Sequence, residues 1–201
     1  MFALVLASAL AACGDDGSSV TDAGAIDAPE LRDATPDGPI DAPVDAPVAA
    51  LRLTSTAITE GGMIPTMYSC RGLDVSPPLA WTGGPAAPGY AVVLTDLSNN
   101  LVHSIIWDIP GAVAALPENV AKVAEPPVPA GSKQPFAYDN QTRGYRGPCP
   151  PNQHTYQFAL YAVDVRPLPE PTLASNRAAV LTAIRAHDTA MATLTATFTP
   201  P

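Results

Sequence analysis

Positive charge is scarce in this chain. Ten Lys and Arg are scattered over 201 residues, no two of them adjacent, against nineteen Asp and Glu. A nucleic-acid-binding surface needs a clustered basic face, so that class is excluded. No unbroken apolar run reaches the ~20 residues that a membrane-spanning helix requires. Neither a Gly-x-Ser-x-Gly turn nor a His-x-His or His-Glu-x-x-His spacing occurs. Their absence argues against a serine nucleophile on a strained elbow and against the common zinc patterns. Cysteine is rare as well, at Cys13, Cys70 and Cys149 only.

The acids that are present sit unevenly. Residues 14–50 hold nine of the nineteen, eight Asp and Glu30, with Arg32 as their single base. The remaining ten acids and nine bases give residues 51–201 a net charge of −1. Within 14–50, Asp-Ala-Pro recurs at Asp27, Asp41 and Asp45, with Asp37-Gly38-Pro39 as a variant. Like charges repel and proline favours extended chain, so this stretch reads as a solvated, disordered linker without a core. Ahead of it, residues 1–13 are uncharged, apolar apart from Ser8, and end Leu10-Ala11-Ala12-Cys13. That ending resembles a bacterial lipoprotein signal, which implies lipidation at Cys13 and tethering in the cell envelope after export. The alternative is an ordinary cleaved signal with an incidental cysteine. No Lys or Arg precedes the apolar stretch, a departure from the usual signal.

Residues 51–201 form the one remaining domain, large enough to bury ~70% of its unfolded surface. Their hydrophobic period is mostly two. Leu51-Arg52-Leu53-Thr54-Ser55 alternates, and 90–96 and 103–109 are strand formers joined by the turn-like Leu97-Ser98-Asn99-Asn100. These two are expected to pair as a hairpin. Further strands are expected at 155–165 and 192–198, and one helix at 175–190 capped by Ser175. The fold class is therefore mostly β: an antiparallel β-sandwich with one C-terminal helix. In an exported protein Cys70 and Cys149 suggest a disulfide worth up to about 4.5 kcal/mol, the alternative being two separate thiols. Trp81 and Trp107 read as core, and His187 as a helix-end histidine complementing the dipole.

The most informative segment is Gly144-Tyr145-Arg146-Gly147-Pro148-Cys149-Pro150-Pro151, followed closely by His154-Thr155-Tyr156. Proline and glycine at this density exclude helix and central strand and leave a stiff loop. Such a loop delivers His154 to a strand end, as a pocket wall does. Asp96 and His103 belong at one rim of the hairpin, and His154 and Tyr156, two apart, share a strand face. Together they present donors to an oxyanion, with the carboxylate orienting an imidazole or accepting from an ammonium. Arg146 reads as a solvated loop cation.

Five blocks in order carry a family resemblance: Ser76-Pro77-Pro78-Leu79-Ala80-Trp81, the strand ending at Asp96, the His103 strand finishing Asp108-Ile109-Pro110, the proline-rich loop, and His154-Thr155-Tyr156. Over 51–198 the chain resembles the phosphatidylethanolamine-binding protein (PEBP) family, in its bacterial Raf-kinase-inhibitor-like branch. The resemblance implies a β-sandwich with a small anion-binding pocket for a headgroup or phosphate. That pocket would be lined by Asp96, His103, His154 and Tyr156 and walled by Gly147, Pro148 and Pro150 of the loop. No cofactor or metal is implied. The expected partners are a small anionic ligand or phospholipid headgroup, and the membrane through the anchor. After Asp96 the chain lacks the second Asp and the Pro of the family's Asp-Pro-Asp-x-Pro motif, and Ser104 stands where many relatives carry Trp. The rim is thus altered, and phosphatidylethanolamine itself is not implied. Two other classes stay open: a regulator of a protein partner, as family members that inhibit kinases or proteases are, and a hydrolase using Asp96 and the histidines with or without metal.

Overall fold

A computed structural model describes residues 49–201; the apolar segment, Cys13 and the Asp-Ala-Pro repeats lie outside the described residues. In chain order the regular elements are strands β1 (Arg52–Thr54), β2 (Leu79–Thr82), β3 (Gly89–Asp96), β4 (Leu101–Pro110), β5 (Ala115–Leu116) and β6 (His154–Val163), helix α1 (Arg177–Ala186), and strand β7 (Asp188–Phe198). They form two antiparallel sheets, a three-stranded one in the order β1-β2-β5 and a four-stranded one in the order β4-β3-β6-β7.

The main core lies between the sheets, where Leu53, Leu79, Trp81 and Leu116 meet Tyr90, Val92, Leu94, Phe158, Leu160 and Leu194. On the outer face of the larger sheet a second cluster joins Ala91, Val93, Ile105, Trp107, Ala159 and Tyr161 to Val180, Ala183 and Ile184 of α1. β3 is therefore buried on both faces, which explains its continuous run of strand formers. Each buried Val, Leu or Ile contributes about 1.5–3 kcal/mol relative to exposure, so α1 is held mainly through Val180 and Ile184, both fully buried.

The expected hairpin forms between β3 and β4, with Asp96 opposite Leu101. Asn100 takes a left-handed φ of 59° in its turn, a conformation asparagine tolerates. The helix is shorter than the sequence suggests. Asn176, not Ser175, is its cap and accepts from Ala179 N at 2.9 Å. The Ser175 hydroxyl instead accepts from Thr172 N at 3.0 Å and closes the preceding turn. Helix α1 stops at Ala186 with His187 as its C-cap, and Asp188 already belongs to β7.

Two register shifts interrupt the β3–β4 ladder. Opposite Leu94 and Thr95, β4 supplies Ser104 and Val102, so His103 between them is an extra residue. Opposite the stretch from Tyr90 to Val92, the extra residue is in the segment holding Asp108, whose φ is 56°. Such bulges bend a strand and re-aim a side chain.

Candidate functional site

Asp96 closes β3 and His154 opens β6. Since Asp96 pairs with Tyr156, the carboxylate, the imidazole and the phenol occupy one corner of the sheet. Asp96 is 2% exposed; its Oδ2 accepts from His154 Nδ1 at 2.6 Å and its Oδ1 from Ser98 N at 2.9 Å. The bulge turns His103 into the same corner. Its ring stands edge-on to Tyr156 with centroids 5.3 Å apart, and lies 4.3 Å from the ring of Tyr138. His103 Nδ1 lies 3.2 Å from the carbonyl of Arg146. A carbonyl can only accept, so this nitrogen carries the proton. Burial lowers the His103 pKa below the ordinary imidazole value, against the opposing pull of the Arg146 carbonyl and the Asp96 charge.

These groups surround a recess of about 100 Å³ lined by Asp96, Asn99, Leu101, His103, Tyr138, Cys149, Pro150, Pro151, His154 and Tyr156. Tyr156 is 1% exposed, and its buried hydroxyl makes no well-formed hydrogen bond within the protein, although the Asp96 carboxylate and the Cys149 backbone lie close to it. Burial, and then the neighbouring Asp96 charge, raise its pKa, so the phenol keeps its proton. A buried hydroxyl left unpaired costs about 1–3 kcal/mol, which makes it the atom most in need of a partner from the recess.

Of the loop residues expected to wall the site, Pro150 lines the recess, while Gly147 and Pro148 are not among its lining residues. They anchor the loop to the segment around Thr66–Tyr68. The Pro148 carbonyl accepts from Cys70 N at 3.0 Å, and Tyr145 Oη donates to the Tyr68 carbonyl at 2.7 Å. A Cβ on Gly147 would lie 2.1 Å from the Tyr68 carbonyl oxygen, so only glycine allows this approach. Cys70 and Cys149 are joined in a disulfide with Cα atoms 5.3 Å apart.

Asp74 escaped the sequence reading and is the hub of this anchorage. It accepts from Gly147 N at 2.8 Å, from Arg146 Nη1 at 2.6 Å and from Lys122 Nζ at 2.7 Å. Burial pushes its carboxyl up, but the bonds from Lys122, Gly147 and Arg146 outweigh that and hold it below the usual value. Arg146 is accordingly not a free loop cation. It pairs with Asp74, and its Nε lies 3.4 Å from Asp139 Oδ2. Tyr138 was missed too. It sits on a connection without periodicity, where no motif marks it. His187, at the far end of α1, pairs with Asp164 at 2.9 Å and takes no part in the recess.

The chain resembles known proteins over most of its described length. The family model described as phosphatidylethanolamine-binding protein matches residues 54–199. A UPF0098 protein of Methanothermobacter thermautotrophicus is 40% identical over 119 residues, 57% of this chain and 77% of its own. A protein of Mycobacterium tuberculosis named as a candidate lipoprotein, LppC, is 32% identical over 171 residues, covering 81% of this chain and 77% of its own. Among solved structures, Escherichia coli YbcL superposes with a TM-score of 0.68 at 27% identity, over 76% of this chain and all of its own. The Chlamydia trachomatis homologue CT736 gives 0.64 at 28% identity, over 76% of this chain and 99% of its own.

Proposed function

The chain belongs to the phosphatidylethanolamine-binding protein family, and we propose that it is a binding protein whose recess takes a small anionic, phosphate-like headgroup without turning it over. The observation that carries this reading is the buried, unpartnered Tyr156 hydroxyl in a recess shared with Asp96, His103 and His154. A ligand oxygen meeting that hydroxyl would satisfy it, and a recess of about 100 Å³ is of the size for a small headgroup.

Binding without chemistry is favoured by what has become of the reactive groups. Cys149 is consumed in the disulfide, so it is not poised as a nucleophile. Tethering through a lipid on Cys13 fits the Leu-Ala-Ala-Cys ending and the naming of the LppC relative as a lipoprotein. The described residues contain no helix long and apolar enough to cross a membrane.

Calorimetry near pH 6 with phosphate, phosphoethanolamine and acetate, on the wild type and on His154→Ala, tests the reading. Saturable heat from a phosphate-bearing ligand, weakened in His154→Ala, is expected. The same null response from both proteins with all three would end it.

A further inference from the structure

Among the described residues no Lys or Arg lines the recess, and the one formally charged group there is the Asp96 carboxylate. The two imidazoles do not supply the missing positive charge while they are neutral. Each then has one N–H, and each gives it to the protein. His154 donates through Nδ1 to Asp96 Oδ2 at 2.6 Å, and His103 through Nδ1 to the Arg146 carbonyl at 3.2 Å. The second nitrogen of each ring is therefore a lone pair, an acceptor and not a donor. A fully ionised oxyanion would meet two lone pairs and a carboxylate, with hydroxyls and the rim amide of Asn99 as its donors. That arrangement repels what the site is built to hold.

We propose that anion binding here is coupled to the uptake of one proton by His154, which rests on the reading of the recess as an anion site. Protonation gives His154 a second N–H, at Nε2, while Nδ1 stays committed to Asp96. The imidazolium and the carboxylate then cancel, and the anion meets a cationic donor backed by an acceptor. His154 is faced by Asp96 of β3 and by Tyr156 of its own strand. His103 is the poorer proton acceptor. It is 3% exposed, packed against Tyr138 and Tyr156, held by the carbonyls of Arg146 and Gly147, and sensitive to the charges of Asp96 and of Arg177 on α1. It remains neutral and accepts from a protonated ligand oxygen or a bridging hydroxyl. The recess is thus a pH-gated site, loading in acid and releasing as pH rises.

The test uses sulfate and dimethyl phosphate, which do not titrate between about pH 5.5 and pH 8.5, so any proton taken up belongs to the protein. The first stands for a free oxyanion and the second for a phosphodiester headgroup. Calorimetry of the full-length protein in two buffers of different ionisation enthalpy counts the protons. Uptake approaching one per anion is expected, with Kd weakening by up to about tenfold per pH unit as pH rises. His154→Gln keeps a donor that cannot titrate and should bind with a flat pH profile and no uptake. Tight binding with no uptake in the wild type would overturn the coupling and leave the anion site standing. An unchanged slope in His154→Gln would overturn the assignment to His154. No heat from either anion at any pH would remove the anion site, and the coupling with it.

Discussion

Arg146 does two jobs at once: its carbonyl holds the His103 ring at 3.2 Å while its guanidinium is gripped by Asp74 at 2.6 Å. The proline-rich loop and the bulge of β4 therefore fix each other, and the fixing point is a carboxylate that never touches the recess. Asp74→Ala should cost about 2 kcal/mol, below the full value for a buried pair because its two cationic partners are partly exposed. Melting temperature measures that loss. Anion affinity should fall as well, although the residue lies outside the site.

Tyr156→Phe should separate stability from binding. Removing a hydroxyl that is buried without a partner should stabilise the unliganded protein by about 1 kcal/mol. Anion affinity should drop roughly tenfold, since the same hydroxyl is the waiting donor. Denaturant midpoint and calorimetric Kd must report opposite effects, a stabler fold and a weaker complex. If stability and affinity fall together, the hydroxyl has a partner within the protein.

Acid should destabilise the fold through His103 before it does so through the carboxylates. The folded-state pKa of His103 lies below its unfolded value, so between the two the unfolded chain binds the extra proton. Stability is whole above the ordinary imidazole pKa of about 6.5 and declines as pH falls from there towards the folded value. Asp74 and Asp139, whose pKa values are also lowered, add a second loss as pH drops through the carboxylate range. Melting curves from pH 8 to about pH 2 should show both phases, and His103→Gln should remove only the upper one.

The disulfide closes a loop of sequence separation 79 and contributes one wall of the recess through Cys149. The double substitution Cys70→Ser and Cys149→Ser should lower stability by about 2–4 kcal/mol. Binding should suffer beyond what partial unfolding explains, because the loop also positions His103. Affinity measured well below the melting temperature separates the two effects.

Much of this fold was legible because burial imposes period two on half-covered strands and continuous apolarity on doubly covered ones. Leu53 and Trp81 alternate as inward residues of the small sheet, and 90–96 reads as a strand enclosed on both sides. The bulge was not legible. Alternation counts residues, and an extra residue at His103 is visible only once Leu94 and Thr95 have found their partners. Arg146 misled for a related reason. An arginine between tyrosine and glycine looks solvated until Asp74, far away in sequence, is seen to fold under it. The helix cap failed locally, because Ser175 and the adjacent Asn176 are both good caps and only the turn closed by Thr172 decides between them.

The last strand has a practical bearing on how this molecule is handled. Phe198 pairs with His154, so the chain beyond Phe198 leaves the sheet beside the mouth of the recess. A purification tag, fluorophore or surface linkage attached after Pro201 would crowd that opening and depress the apparent affinity. Labels belong at the opposite end of β6 instead, near the exposed Glu170, where they would report on the protein without obstructing it.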